Sequence, residues 1–405
     1  MTAPRPASFL ASVEMAPKDP ILGVTEAFAA DTNPGKVNLG VGVYTDDDGK
    51  VPLLECVRRA EDSRVKSGAP KSYLPIDGLA AYDQAVQRLV FGADSAALKD
   101  QRIVTVQALG GTGGLKVGAD LLQFVDPSAQ VWISDPSWEN HRQLFENAGF
   151  EVYSDPYYDA STHGINFEGM VVALRKLPPR SIVLLHACCH NPTGVDLQRA
   201  QWDAVIAEVR EYEHIPFLDL AYQGFGDGVE ADAFAVRRFA EAGMPMLVSS
   251  SFSKSFSLYG ERVGAFSVLA ASADEAARAL SQVKRVVRAN YSNPPTHGSD
   301  IVARVLTTPE LRALWEQELG AMRERIKAMR QALVDGIHKR VPGADFSFVL
   351  RQRGMFSYSG LSKAQVGRLK SEFSIYAIDT GRICVAALNR KNIDYVADAI
   401  AKVIR

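Results

Sequence analysis

The sequence predicts an α/β protein, with a large α/β/α domain on a mainly parallel sheet and a smaller α+β domain. Three observations predict it. Short apolar runs alternate with helical segments, the runs are apolar almost throughout, and the pattern changes after about residue 305. Near-continuous apolar runs are typical of strands covered by helices on both faces. At 405 residues, the chain is also long enough for two or three domains.

Six segments have the composition of buried strands. They are RIVTVQAL (102–109), QVWISDP (130–136), RSIVLLHACCH (180–190), HIPFLDLAY (214–222), MLVSSSFSK (246–254) and RVGAFSVLA (262–270). Helical segments such as Gly114–Phe124 and Arg199–Tyr212 lie between them. Strands that alternate with helices predict repeated βαβ units and therefore a parallel sheet.

After residue 305, apolar residues recur every three or four positions from Leu311 to Ile337, which predicts one long amphipathic helix. This helix joins or covers domains, and a coiled coil that binds a partner is the alternative. The remaining chain has the pattern of a compact α+β unit with a helix near 362–373. We expect a large domain of residues 46–310, and a small domain of residues 1–45 and 311–405.

Composition and charge exclude several classes of protein. Forty-five Lys and Arg against 47 Asp and Glu give a formal charge of −2, which argues against a nucleic-acid binder and a polybasic membrane surface. The N-terminal segment lacks the pattern of a signal peptide, and no apolar run is long enough to span a membrane. Four scattered cysteines suit a reducing compartment, so we expect a cytoplasmic protein.

Three familiar motifs fit this sequence poorly. Two histidines and two cysteines in residues 186–190 resemble metal ligands, but no second ligand pair follows at a suitable spacing. Residues 251–254 match the S-x-x-K motif of serine β-lactamases, whose companion motifs are absent. The glycines of residues 110–114 fit neither a dinucleotide-binding motif nor a P-loop. We therefore expect no metal, no nicotinamide cofactor and no P-loop chemistry.

Polar residues instead collect just after the predicted strands, where ligands of open α/β sheets bind. A glycine-rich turn at 110–114 opens a helix, which makes an anion site suited to phosphate. Ser251, Ser253 and Arg262 can add donors and positive charge. Lys254 lies among them and can form an imine with an aldehyde.

The remaining strand-end residues suit an aromatic ring with a ring nitrogen. Asp219 can keep a pyridinium nitrogen protonated, and the Trp138 indole can stack on the ring. Tyr222 and Asn191 can donate hydrogen bonds to a ring oxygen. Together, these groups predict a site for pyridoxal 5′-phosphate.

The sequence around these residues resembles the class I aminotransferases of the aspartate and aromatic branch. The similarity extends from NLGVGVY (38–44) to GRICVA (381–386) and is densest in HNPTG (190–194), DLAYQGF (219–225), SFSKSFSLYGERVG (251–264), RANYSNPP (288–295) and GMFSYSG (354–360). The resemblance implies a fold type I pyridoxal-phosphate-dependent transferase. It also implies a homodimer whose active sites lie at the subunit interface.

The resemblance assigns catalytic roles to Lys254, which bonds the cofactor, to Asp219, which pairs with the pyridine nitrogen, and to Tyr73, which reaches over from the neighbouring subunit. His141 and His186 support Asp219 or the ring. The implied cofactor-binding residues are Gly111, Thr112, Trp138, Asn191, Asp219, Tyr222, Ser251, Ser253, Lys254, Arg262 and Tyr73. The implied substrate-binding residues are Gly42, Trp138, Asn191, Arg288, Phe356 and Arg382.

Two arginines determine the expected substrates. Arg382 would clamp the α-carboxylate, and Arg288, contributed across the dimer, would meet a side-chain carboxylate, which suits dicarboxylic acids. Several segments resemble bacterial aromatic (tyrosine) aminotransferases, whereas Thr112 and Asn293 are residues of aspartate-selective ones. We expect transfer of the amino group of aromatic amino acids and aspartate to 2-oxoglutarate. A dedicated aspartate aminotransferase is the alternative.

Three other functions compete with this prediction. A β-lyase or decarboxylase would share the cofactor site, but the arginine pair favours transamination with glutamate. A regulator's sensory domain would need a DNA-binding segment, for which the chain has no spare length or basic helix. Redox regulation through Cys188 and Cys189 is disfavoured by their apolar neighbours, which indicate unreactive core thiols.

Overall fold

The computed structural model describes residues 8–16 and 20–405. The helices are α1 (Pro20–Ala30), α2 (Glu55–Lys66), α3 (Ala80–Phe91), α4 (Ala96–Lys99), α5 (Gly110–Val125), α6 (Glu139–Asn147), α7 (Phe167–Leu174), α8 (Arg199–Glu211), α9 (Val229–Asp232), α10 (Phe234–Glu241), α11 (Ala273–Asn290), α12 (His297–Thr307), α13 (Pro309–Arg340), α14 (Lys363–Phe373) and α15 (Ile393–Val403). Two 3₁₀ helices cover Ser347–Arg351 and Val385–Ala387. The strands are β1 (Val37–Asn38), β2 (Ile103–Leu109), β3 (Val131–Asp135), β4 (Val152–Pro156), β5 (Tyr158–Asp159), β6 (Gly164–Ile165), β7 (Ile182–His186), β8 (Ile215–Leu220), β9 (Met246–Ser251), β10 (Val263–Leu269), β11 (Phe356–Tyr358), β12 (Ile375–Tyr376) and β13 (Arg382–Cys384).

The central sheet has seven strands in the order β2-β10-β9-β8-β7-β3-β4. Only β10 runs antiparallel to its neighbours, and the other pairs are parallel. The predicted mainly parallel sheet is therefore confirmed. Because the parallel strands end at one edge, the polar residues that follow them are brought together there.

Two details of the predicted strands are wrong. The edge strand β4 was missed, because most of its side chains are exposed or half-buried and it lacks a continuous apolar run. The segment predicted as a strand over 180–190 stops at His186. Cys189 has a φ of 52°, in the left-handed region, which cannot continue a strand. The polar residues beyond His186 therefore lie in a turn and do not alternate between the faces of a strand.

Helix α5 packs unusually close to the sheet because glycines face it. A Cβ atom on Gly118 would lie 2.4 Å from Cζ of Phe217 and 2.7 Å from Phe266. A Cβ atom on Gly114 would lie 2.6 Å from Oγ of Ser249. This close packing fixes the position of the N-terminus of α5 at the edge where the strands end.

The predicted long helix over 311–337 is confirmed as α13. Its apolar residues Trp315, Leu319, Ile326 and Leu333 are buried in the core of this same chain, so they are not a free coiled-coil seam. The Trp315 indole N–H donates a hydrogen bond to the carbonyl oxygen of Ser255 at 2.8 Å. This contact ties α13 to the loop that carries Lys254.

The beginning and the end of the chain meet in a small sheet. Strand β1 pairs in parallel with β12, and Cys384 donates its backbone N–H to the Leu39 carbonyl at 2.7 Å. The pairing agrees with an N-terminal segment that joins the C-terminal unit. The division into residues 46–310 and 1–45 with 311–405 stays a prediction.

The four cysteines are free thiols, and all are buried. Burial raises the pKa of the Cys384 thiol to about 11 and also raises the pKa of Cys56. A thiol with a raised pKa is seldom in the reactive thiolate form. Within residues 8–16 and 20–405, no helix is both long and apolar enough to cross a membrane.

The packing of α5 can be tested at Gly118. A Gly118→Ala substitution is expected to lower the free energy of unfolding by about 1–3 kcal/mol, because the added methyl group overpacks the contact with Phe217. The control is Gly367→Ala on α14, where nothing lies within 4 Å of the new methyl group and stability should rise by up to ~1 kcal/mol. Urea unfolding measures both. Equal stability of the Gly118→Ala variant and the unchanged protein would contradict this account.

Candidate active site

A cavity of about 150 Å³ lies at the edge where the parallel strands end. It is lined by Gly111, Thr112, Trp138, His186, Asn191, Asp219, Ala221, Tyr222, Ser251, Ser253, Lys254 and Arg262. This set contains every residue of the predicted cofactor site except Tyr73. All of them except Arg262 come from the ends of β2, β3, β7, β8 and β9 or from the segments that follow these strands, and Arg262 directly precedes the antiparallel strand β10.

Lys254 lies in the turn after β9, inside this cavity. Its Nζ atom is 4.9 Å from the centre of the Tyr222 ring. Burial lowers the pKa of the Lys254 amine to about 8, although the charge of Asp219 acts in the opposite direction. A substantial fraction of this amine is therefore uncharged near neutral pH, and only the uncharged amine attacks a carbonyl carbon.

Asp219 is a buried carboxylate on β8, the middle strand of the sheet. Its Oδ2 atom is 2.9 Å from Nε2 of His141, whose Nδ1 is 2.9 Å from Oγ of Ser137. Burial raises the pKa of Asp219, but the hydrogen bond and charge of His141 and the charges of His186 and Lys254 outweigh it, so the net shift is downward. The Oδ1 atom of Asp219 is buried without a hydrogen-bond partner.

The histidines and cysteines of residues 186–190 do not form one cluster of possible metal ligands. Both ring nitrogens of His190 already have partners, the hydroxyl groups of Ser134 and Thr193. Cys188 and Cys189 lie near Asp232, whose carboxylate accepts three backbone N–H groups. His186 lies instead beside His141 and Asp219, and burial lowers its pKa to about 3.

The N-terminus of α5 forms a cradle for an anion. Gly110 has a φ of 69°, and a Cβ atom there would lie 2.4 Å from Nη2 of Arg262, so this position needs glycine. The Arg262 guanidinium donates to Oγ of Ser253 at 3.3 Å, and Oγ of Ser251 lies 3.2 Å from Oγ of Ser253. Free backbone N–H groups, two hydroxyls and a guanidinium suit a phosphate.

The donor set of the whole cavity fits pyridoxal 5′-phosphate. The anion cradle lines the same cavity as Asp219, which offers an unpartnered oxygen to a protonated ring nitrogen. Lys254 provides the amine for an aldehyde, and Trp138 provides an aromatic face. Each chemical group of the cofactor therefore has a matching side chain.

Arg382 lies next to this cavity and is only 1% exposed. Its guanidinium donates to Oδ1 of Asn191 at 3.1 Å and to the Gly40 carbonyl at 2.7 Å. It also stacks over the Phe356 ring at 4.5 Å from the ring centre. A Cβ atom on Gly42 would lie 2.6 Å from Cζ of Phe356. The predicted substrate residues Gly42, Asn191, Phe356 and Arg382 therefore lie together.

Tyr73 and Arg288 do not reach the cavity within one chain. Tyr73 is 91% exposed, and Arg288 is exposed near the end of α11, where it donates to Oγ of Ser292. Of the two residues that are typical of aspartate-selective enzymes, Thr112 lines the cavity. The other, Asn293, donates its backbone N–H to the Tyr291 carbonyl. The two exposed residues are those predicted to act across a subunit interface.

Sequence reasoning missed two groups that contact or approach Arg382. One is the Gly40 carbonyl, in the NLGVGVY segment whose similarity was noted only as a whole. The other is Glu139, whose Oε2 atom is 3.9 Å from Nη1 of Arg382. Its position directly after Trp138, a predicted site residue, could have indicated that Glu139 lies near the site.

The lowered pKa of Lys254 predicts its reactivity in the cofactor-free protein. Reaction with a small aldehyde, trapped by borohydride, should be half-maximal near pH 8, because the uncharged fraction of the amine increases as the pH rises through its pKa. Ordinary exposed lysines require about pH 10.4 and provide the internal control. Peptide mapping by mass spectrometry measures each site. Labelling of Lys254 only at the higher pH would show that its amine is not perturbed.

Known proteins have similar sequences and the same fold. Residues 34–400 match the family model described as aminotransferase class I and II. The chain is 61% identical over 397 residues to an aspartate aminotransferase of Pseudomonas aeruginosa (98% of this chain, 100% of the relative), and 52% identical over 387 residues to an aromatic-amino-acid aminotransferase of Escherichia coli K12 (95% and 98%). A solved aromatic-amino-acid aminotransferase of Burkholderia pseudomallei, covalently bound to pyridoxal phosphate, superimposes with a TM-score of 0.97 at 64% identity (98% and 100%). The resemblance inferred from the sequence is thus confirmed, and the chain belongs to the class I and II aminotransferase family.

Proposed function

We propose that this aminotransferase uses pyridoxal 5′-phosphate to move the amino group of aromatic amino acids and of aspartate to 2-oxoglutarate. One observation carries the proposal. Lys254, the unpartnered oxygen of Asp219 and the anion cradle line one cavity, and Asn191 connects that cavity to the buried Arg382. Relatives named for aspartate and for aromatic amino acids both support this substrate range.

When bound, the cofactor supplies an electron-withdrawing ring that makes the α-hydrogen of an amino acid acidic. The chain holds that ring in place. Asp219 keeps the ring nitrogen protonated, because the His141 hydrogen bond favours its charged form. Tyr222 and Asn191 would donate hydrogen bonds to the ring oxygen of the cofactor, and Trp138 would supply an aromatic face.

Lys254 moves the proton. Its Nζ atom would take the proton from the α-carbon of the amino acid and hold it for transfer, because an amine with a pKa of about 8 can serve as acid and base near neutral pH. Arg382 binds the α-carboxylate and thereby orients the C–H bond toward Nζ. The buried position of Arg382 strengthens this contact, since little water competes for the guanidinium.

We further propose that the active site is complete only in a homodimer. Tyr73 and Arg288 are exposed in one chain, and each would serve the active site of the neighbouring chain. Exposed apolar side chains at Phe9, Val13 and Met15 also favour association. We further propose that residues 1–45 and 311–405 close over a domain of residues 46–310, and that the protein works in the cytoplasm, where buried free thiols persist.

Variants of the two arginines test the substrate range. Arg288→Ala removes the partner of the side-chain carboxylate. It should weaken transition-state binding of aspartate by about 2–5 kcal/mol, which lowers kcat/KM for aspartate roughly 30-fold or more. The kcat/KM for phenylalanine should stay unchanged. Arg382→Ala should impair both amino acids to a similar degree. Steady-state kinetics with 2-oxoglutarate measure both variants. If the unchanged enzyme transaminates aspartate but neither tyrosine nor phenylalanine, it is a dedicated aspartate aminotransferase.

The shared site can be tested by complementation. Lys254→Ala homodimers should be inactive toward aspartate, and Arg288→Ala homodimers should keep at most about one-thirtieth of the activity. A heterodimer contains one site with both original residues, so it should regain about half the activity of the unchanged dimer. Co-expression with two different tags isolates the heterodimer, and light scattering gives its mass. A heterodimer as inactive as its parents would show that Arg288 acts within its own subunit.

A further inference from the structure

The surroundings of Arg382 contain a second carboxylate whose role follows from its contacts. The Arg382 guanidinium uses Nη1 for Asn191 and Nη2 for the Gly40 carbonyl, while its Nε atom is buried without a partner. The Oε2 atom of Glu139 is also buried without a hydrogen-bond partner. The closest approach between this carboxylate and the guanidinium is 3.9 Å.

This distance is that of an ion pair without a hydrogen bond. Glu139 belongs to the first turn of α6, next to Trp138. Its side chain is 32% exposed, whereas the Oε2 atom that approaches Arg382 is buried. Its charge is also felt by Tyr358, the residue paired with Arg382 across β11 and β13. Burial chiefly raises the pKa of Tyr358, and the charges of Asp135 and Glu139 add to this effect.

We infer that Glu139 is a built-in counter-ion that sets how tightly Arg382 binds carboxylates. The inference rests on the proposed function of Arg382. Before substrate binds, Glu139 compensates a guanidinium that would otherwise be buried without an opposite charge. When the α-carboxylate binds, two carboxylates share one guanidinium, and their repulsion weakens the complex.

Such weakening suits this reaction. The amino acid consumed and the oxo acid released carry the same carboxylate, so a very tight Arg382 site would also retain the product. Binding that is equal in the ground state and in the transition state lowers KM without raising kcat. Glu139 therefore acts on binding and release, as a positioning residue beside Arg382, and takes no part in proton transfer.

Glu139→Gln tests the inference in the holoenzyme, because it removes the charge and keeps the shape. The probes are 3-phenylpropanoate and succinate, which carry carboxylates but no amino group and so cannot react. Their dissociation constants, read from the visible absorption of the bound cofactor, should both fall about threefold to tenfold. KM for amino acids should fall similarly, with kcat changed by less than about twofold.

Two variants serve as controls. Glu146→Gln removes the same charge from α6 two turns further on, where Glu146 pairs with Arg142 at 3.4 Å, and should leave both dissociation constants unchanged. Glu139→Asp keeps the charge but moves it away from Arg382 by the length of one methylene group. The dissociation constants of both probes should therefore fall less than in Glu139→Gln. If Glu139→Gln loses the visible absorption of the bound cofactor or unfolds at a lower temperature, Glu139→Asp provides the test of the counter-ion role.

The outcomes separate this inference from the proposed function. Arg382→Ala should lose binding of both probes. If it does, while Glu139→Gln binds them as the unchanged enzyme does or more weakly, then the counter-ion role is wrong and the role of Arg382 stands. If Arg382→Ala still binds both probes normally, then Arg382 is not the carboxylate site and the proposed substrate binding fails as well.

Discussion

The buried carboxylate of Asp219 is the feature on which the rest of the site depends. A carboxylate at the end of the central strand is costly to bury, and His141 offsets that cost with a hydrogen bond to one oxygen. The other oxygen is left for the ring nitrogen of the cofactor. The negative charge of Asp219 also reaches Lys254, where it opposes the lowering of the amine's pKa by burial.

The parallel sheet makes this arrangement possible. Its strands end at one edge, so the glycine-rich N-terminus of α5, Asp219 and Lys254 meet there although they are far apart along the chain. Glycines at 114 and 118 allow α5 to lie close to the sheet, which fixes the anion cradle relative to Lys254. The packing of α5 against the sheet thus decides the spacing between the anion cradle and Lys254.

The proposed carboxylate site around Arg382 is assembled differently, from residues far apart in the sequence. Arg382 comes from the C-terminal unit, Gly40 from the N-terminal segment and Asn191 from the central sheet. Movement of the C-terminal unit would therefore carry Arg382 and its bound carboxylate together. Glu139, on the helix after β3, would stay with the central sheet, so the distance between Glu139 and Arg382 would change with any such movement.

The sequence by itself predicted a mainly parallel sheet, six of its seven strands and the polar residues that line the cavity. Continuous apolar runs mark buried strands, and polar residues that follow several such strands meet at the edge where ligands of open α/β sheets bind. Only the tertiary structure decided that β4 completes the sheet, that β7 stops at His186, and that Gly40 and Glu139 approach Arg382. An exposed edge strand has no apolar run to mark it, and a left-handed residue at 189 leaves no trace in hydrophobicity. Arg382 meets partners 191 and 342 positions away, and contacts over such separations depend on how packed elements meet, which no local pattern records.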